Sequence, residues 1–361
     1  MKILLFGEYS GLFNCLKHGL QALGHEVFLA SEGNGYKNYP SDFRWDSNLQ
    51  PKLGKAKTFY YAANIWLHKD LLKGYDVVYI ISPDEISRFK WLNAPIYNYL
   101  IRHNKKVYLC GAGMTPTVFD YWYESDTKYK SYMEGYFWNG AHPKYYHNYS
   151  LKSWEDELIK KIDGYIPIWY EYAQPFRQYD TLKDTIRIPI NLDQFEYKRN
   201  RPEDKIVFFH GVTRECKGTR RFIKPAFEKM QKIYGDKAEF ICAGGLPFDE
   251  YMRVIDRANV IVDDANSFSI AMNGLFSLLK GKLVVGGAEP EGNKELGYLD
   301  SPVFNINPNI DNICEVLASI IDRRNEIEDL GYAGRKFVEK YHNSLDIAQQ
   351  YVDLWESDLK K

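Results

Sequence analysis

The chain has 361 residues, with 47 Lys plus Arg against 48 Asp plus Glu and a net charge of -1; this excludes a polyanion binder that works by bulk charge, though not a local basic patch. Hydrophobic residues at 45% and charged residues at 26% are those of an ordinary folded protein, and at roughly 150 residues per domain the length gives about two domains. No apolar run approaches the ~20 residues that a spanning helix needs. The first elements follow at once. Lys2 to Phe6 reads as a strand, Gly7-Glu8-Tyr9-Ser10-Gly11 as its turn, and Leu12, Leu16, Leu20 and Leu23 recur at helical spacing up to Gly24. His25 to Ala30 is the next strand, and the alternation predicts a parallel sheet in an α/β layer.

Further strands are predicted at Val77 to Ser82 and Lys106 to Cys110, each ending in turn-forming residues where open parallel sheets hold ligands. Phe119 to Lys152, rich in Tyr, Trp and His, reads as a helical or loop insertion. Gly164 to Trp169 and Thr185 to Ile190 read as strands. The polar stretch Asn191 to Asp204 marks a boundary. Beyond it the alternation restarts: strands at Lys205 to His210, Ala238 to Ala243, Val260 to Asp263 and Leu283 to Val285, helices at 219–234, 248–257 and 273–280. The tail from Asp311 is largely helical. The domains are therefore placed at 1–195 and 196–343, with a terminal helix at 344–361. The five cysteines, Cys15, Cys110, Cys216, Cys242 and Cys314, form no C-x-x-C pair. That usage suits a reducing cytosol, and the start lacks the apolar core of a signal peptide.

The stretch His210 to Thr219 carries chemistry. A strand delivers a loop with Gly211, then Arg214 and Lys217 three residues apart, then Gly218. A guanidinium fork, an ammonium and close backbone amides suit a diphosphate; a solvated basic turn has the same pattern. A polar loop from Asp263 then precedes a short helix starting near Met272-Asn273, whose free N–H groups would complete an anion cradle.

With these residues in place, the sequence resembles the GT-B glycosyltransferases, especially the retaining, metal-independent group called family 4. The likeness rests on Arg214, Lys217 and Gly218, on the Gly281-Lys282-Leu283-Val284-Val285 close, on Ile188 to Asp193, and on Phe337 to Tyr341. It implies two facing Rossmann-like domains with a cleft and a last helix crossing back to the first domain, a part that Leu345 to Leu359 would fill. It also implies transfer of a sugar from a UDP- or GDP-sugar to a saccharide or lipid-linked saccharide hydroxyl, in polysaccharide or glycoconjugate synthesis. Neither metal nor other cofactor nor nucleic acid is implied. Arg214 and Lys217 would bind the diphosphate and offset charge on the leaving group. Amides around Met272, Asn273, Gly274 and Leu275 would add donors, the loop with Gly245 and Leu246 would face the nucleobase, and Gly7 to Gly11 would approach the sugar, diphosphate or acceptor. Asp120 or Asp126 would serve as general base if the reaction inverts.

One departure stands out. The family carries two glutamates eight positions apart, and aligned on Gly281 those positions hold Phe268 and Phe276. A phenylalanine accepts no hydrogen bond. Glu289, Glu291 and Asp264 are the candidate substitutes, while Phe276 itself reads as core packing and His210 as a packing histidine. Two alternatives stay open: a non-catalytic GT-B scaffold that binds nucleotide or glycan, and a sugar-nucleotide epimerase. A cytoplasmic enzyme working at the inner membrane face would bring Tyr121-Trp122-Tyr123 or Lys128-Tyr129-Lys130 to lipid.

Overall fold

Short β-branched and aromatic runs, each followed by a turn and an amphipathic helix, make two parallel sheets here. The computed structural model describes residues 1–46, 56–138, 149–212, 217–245 and 248–361. The first sheet holds β1 (Lys2–Phe6), β2 (Glu26–Ser31), β3 (Phe43–Arg44), β4 (Val77–Ile80), β5 (Lys106–Gly111) and β6 (Gly164–Pro167) in the order β3-β2-β1-β4-β5-β6. The second holds β7 (Ile206–Val212), β8 (Ala238–Gly244), β9 (Val260–Val262), β10 (Leu283–Gly286) and β11 (Phe304–Asn305) in the order β11-β10-β9-β7-β8. Every pairing in both sheets is parallel. The strand order reverses between β1 and β4 in one sheet and between β7 and β9 in the other. Each reversal leaves a crevice at the carboxyl ends, where open α/β sheets take ligands.

Register follows from burial on both faces. Leu4 stands opposite Phe28 on β2 and Val78 on β4, and Phe208 opposite Phe240 on β8 and Val260 on β9. Leu4, Val78, Phe208 and Val260 are fully buried, as expected for strands covered by helices on both sides. Ile313, Leu317 and Ile320, on one stripe of the helix Ile310–Asp322, join Phe208 and Val262 in a single core.

The chain divides into two compact units: the described residues of 1–120, 146–191 and 343–361, and those of 121–145 and 192–342. The helix Ser344–Leu359 belongs to the first. It lies on the helix Leu12–Ala22, where a Cβ on Gly19 would stand 2.0 Å from the Ser344 carbonyl oxygen. Trp355 is fully buried, the Tyr351 hydroxyl lies 3.2 Å from that of Tyr79, and Lys183 donates to Asp358 at 2.7 Å. Burial works against the Asp358 charge, but Lys183, Lys361 and Tyr108 together bring its carboxyl down to about 2.

The structure differs from the sequence expectation at Thr185 to Ile190, which forms no strand. That run makes scattered bonds instead: the Ile186 N–H reaches the Pro167 carbonyl, and Ile190 forms an isolated bridge with Asn343. Pro189 has no N–H with which to continue a ladder. The described residues of 121–145, read with the first domain, group with the second unit, where Trp122 and Tyr129 pack on Phe268. Among the described residues, no helix is long and apolar enough to cross a membrane.

Candidate functional site

In the second unit the reversal between β7 and β9 brings together two chain segments 46 residues apart. Arg214, with residues 213–216, lies outside the described residues. Lys217, the next described residue, donates to the Asp263 carboxylate at 2.5 Å. Asp263 directly follows β9. Its side chain is 2% exposed and that of Lys217 13%. Burial alone would raise the Asp263 carboxyl, yet its value is lowered because the Lys217 charge and hydrogen bond prevail, with smaller help from His210 and the Ala271 N–H. An ammonium has three donors, and Asp263 fixes where this one sits.

Under the pair lies His210, fully buried. Its Nδ1 is 2.7 Å from the Val262 carbonyl oxygen, which only accepts, so Nδ1 carries the proton. Nε2 then accepts from the Thr219 hydroxyl at 2.7 Å. Burial pushes the imidazole down to about 4. A neutral ring with both nitrogens satisfied is a packing histidine. It ties the end of β9 to the turn that follows β7.

Gly218 adopts φ +79, and a Cβ there would stand 3.1 Å from the Asn266 amide nitrogen and 3.0 Å from the Phe222 ring. The turn after it, Thr219–Ile223, is a π-helix in which the Phe222 and Ile223 N–H groups share the Gly218 carbonyl; such wide turns recur at functional sites. Gly211 lies in β7 opposite Ala243. Gly245, exposed at φ +69, has nothing within 4 Å of its Cβ position, while Leu246 falls outside the described residues. The helix Met272–Leu279 starts without a side-chain cap. Met272, Gly274 and Leu275 are buried, and the missing Gly274 side chain makes room for Ile270, 2.9 Å from its Cβ position. Asn273 is half-buried and its carbonyl accepts from Ser277. Through Asp263, Lys217 and the start of this helix meet at one point.

Both phenylalanines are packed. Phe276 meets Phe195 edge-on at 5.1 Å. Phe268 is 6% exposed, with the rings of Trp122 and Tyr129 at 5.3 and 6.0 Å. Glu289, a candidate substitute, has its carboxylate bound by Lys128 and by the Asn305 amide at 2.8 Å. Lys128 comes from the helix Lys128–Trp138 and also donates to the Ile306 carbonyl. Trp122 and Tyr129 are therefore core residues of the second unit, not lipid contacts.

The corresponding turn of the first unit is filled from within. Glu8 is 1% exposed and accepts from the Gly11 N–H at 2.9 Å, from the Asn14 N–H at 2.9 Å and from the Asn14 side chain at 2.6 Å. Its carboxylate occupies the positive end of the helix Leu12–Ala22, and burial raises its value despite those donors. Gly7, at φ +96, leaves room for Ile81 and for Glu85, whose carboxyl carbon is 2.8 Å from the Gly7 Cβ position; Gly11, at φ +90, faces the Tyr39 ring. Asp120 is half-buried in the middle of the helix Pro116–Glu124 and belongs to the first unit. Among the described residues no group of three His, Cys, Asp or Glu is placed to hold a metal ion.

Sequence reading missed the Asp263 partner of Lys217, Glu8 as the occupant of the first turn, and Lys128 on Glu289. Only Asp263 left a signal, as an acid directly after a strand end. No family model matches the sequence, and no curated protein matches it. Solved structures do match. Sucrose-phosphate synthase from Thermosynechococcus elongatus superposes with a TM-score of 0.61 at 13% identity, over 99% of each chain. HepE from Anabaena, crystallised with UDP and glucose, has a TM-score of 0.62 at 12% identity over 99% of this chain and 100% of its own. A glycosyltransferase from Rickettsia africae has 0.56 at 11%, over 100% and 99%. These likenesses cover both sheets, and this chain has the GT-B fold.

Proposed function

We propose that this protein transfers a sugar from a UDP- or GDP-sugar to a hydroxyl of a saccharide or lipid-linked saccharide. The observation that carries the reading is Lys217, held by buried Asp263 at the β7/β9 reversal of a GT-B fold. Crystallisation of the structurally similar HepE with UDP-glucose supports the donor class. Lys217 and Arg214 would offset charge on the departing diphosphate, with the uncapped start of the helix Met272–Leu279 adding backbone donors. In a retaining, metal-independent course the leaving phosphate oxygen takes the acceptor proton as the new glycosidic bond forms, so no protein base is demanded. In an inverting course Asp120 takes that proton. Gly245 and Leu246 would flank the base, and Glu289 would reach the donor sugar only after release from Lys128.

A second reading is favoured by one feature. Phe268 replaces an acceptor group and lies beneath Trp122 and Tyr129, which suits a non-catalytic scaffold that binds nucleotide without turning over sugar. Calorimetry with UDP and GDP, followed by turnover of UDP- and GDP-sugars with and without chelator, separates the readings. Transfer expects binding of one nucleotide and release of it from the sugar. Binding without release supports the scaffold, and absence of both overturns the two readings together.

A further inference from the structure

A second cationic cluster lies at the opposite edge of the second sheet from Lys217, where the helix Met272–Leu279 ends. Gly281, at φ +86, closes that helix, and the linker crosses so near that the Lys198 carbonyl oxygen stands 2.8 Å from the Gly281 Cβ position. The Lys198 N–H donates to the Lys280 carbonyl. Lys282 directly precedes β10, and Asp256 comes from the helix Phe248–Arg257, just before β9. These residues all belong to the second unit and meet at the amino ends of its strands, whereas Lys217 and Asp263 stand at the carboxyl ends. The helix of eight residues between the two places is about 12 Å long.

Three ammonium groups meet there at one acid. Lys280 Nζ is 2.5 Å from one Asp256 carboxylate oxygen and Lys198 Nζ 3.8 Å from the other, while Lys282 donates to the Asp256 backbone carbonyl at 2.7 Å. Among the described residues no other carboxylate lies within 4 Å of the three ammonium groups. The adjoining arginines already have acids of their own: Arg257 has Glu239, Arg199 and Arg201 have Glu328, and Arg335 has Glu339. Lys280 and Lys282 are only 8% and 5% exposed. Buried charges are ordinarily paired, because an unpaired ammonium is costly to desolvate. The last carbonyls of the helix offset about half a charge, which leaves the cluster with a positive surplus. Burial, joined by the charges of Lys280 and Lys198, brings the Lys282 ammonium down to about 8 against the pull of Asp256. Lys198 and Asp256, with side chains 61% and 40% exposed, mark the open side. An anion arriving there meets Lys198 and Lys280, with the Lys282 charge beneath. Two negative charges and several acceptor oxygens, as on a phosphate, balance the surplus.

We infer that Lys198, Lys280 and Lys282 form a second anion site, which takes a phosphate dianion, either free or as the phosphate group of a monoester. The site uses no residue of the nucleotide site and stands apart from the transfer reading.

The test is calorimetric titration of the full chain with inorganic phosphate, sulfate and glucose 6-phosphate at constant ionic strength. A phosphate site persists in Lys217→Met with Asp263→Asn, where the nucleotide site is disabled. In that background Lys280→Met with Lys282→Met, which keep the apolar stems, weakens phosphate binding by at least about tenfold, and Lys198→Ala by about threefold. Lys336→Ala, at another exposed lysine of the same unit, leaves it unchanged. Circular dichroism checks folding, and Lys198→Ala, at an exposed side chain, carries the test if the buried pair does not fold. Lysine side-chain NMR of the native protein gives a second readout: bound phosphate raises the Lys282 titration midpoint, because an opposite charge favours the ammonium. Tighter binding of glucose 6-phosphate than of phosphate, lost in the same variants, identifies a monoester as the ligand; tighter binding of phosphate and sulfate identifies the free ion. Absence of phosphate and sulfate binding in the disabled background overturns the proposal. So does binding that the lysine variants leave unchanged, or a Lys282 midpoint that phosphate does not move. Absence of UDP and GDP binding by the native chain, with the phosphate site intact, breaks the transfer reading alone.

Discussion

Two turns in this molecule share one grammar and differ in charge. Each follows a parallel strand at a point where its sheet reverses order, and each leads through a left-handed glycine into a helix. After β1 the helix start is capped by the chain's own Glu8, which takes the N–H groups of Gly11 and Asn14. After β7 the loop ends in Lys217, and the nearest acid, Asp263, is spent on holding that lysine. A helix terminus already neutralised by a buried carboxylate repels a phosphate, whereas a positioned ammonium attracts one. Topology makes the two turns equivalent; one side chain in each decides whether the turn holds a carboxylate, Glu8, or an ammonium, Lys217.

The strongest way to break this contrast is at Lys217. Lys217→Met strands a buried carboxylate, and urea unfolding is expected to show a loss of about 3–5 kcal/mol. Adding Asp263→Asn restores most of that stability without restoring nucleotide affinity, which calorimetry should find about ten to a hundred times weaker. Unchanged affinity in the double variant would remove the second turn from consideration as an anion site.

A smaller effect comes from His210, which links β9 to the second turn. The unfolded chain takes up its proton near the ordinary 6.5, the folded chain only near about 4. Unfolding therefore binds a proton across that window, so this group's contribution is intact above it and is lost as pH falls through it. The loss reaches about 3 kcal/mol. Denaturation midpoints of the native protein and of His210→Gln, followed across the window, should show the steeper decline in the native chain; equal slopes would refute the buried neutral ring. Least costly is Glu8→Ala, expected to lose about 1–2 kcal/mol from the uncapped helix. Sulfate should then stabilise this variant more than the native protein, because the first turn has been made to resemble the second.

Most of the strand–turn–helix order is legible in the sequence, because the switch from runs of β-branched residues to a helical stripe is local. The failures have physical causes. Thr185 to Ile190 has strand composition but makes only scattered bonds, to Pro167 and Asn343, because Pro189 lacks an N–H and pairing is not a local property. The helix Lys57–Leu67 is hard to read because Phe59, Trp66 and Leu67 put apolar residues on its outer face as well, and the helix Lys90–His103 because Pro95 stands inside it. At the site, Lys217 and Gly218 were visible as a cation and a turn residue. The ion pair with Asp263 joins residues 46 positions apart, and no spacing rule reaches that far.

Composition and periodicity by themselves determined two α/β halves, the glycine turns and the presence of a cationic loop, since each depends on residues within a few positions of one another. Tertiary structure alone decided that Glu8 fills one turn, that Asp263 holds Lys217 in the other, and that Trp122 and Tyr129 bury Phe268. Those outcomes depend on which strand ends the two sheets place side by side, and on charges that only burial makes strong.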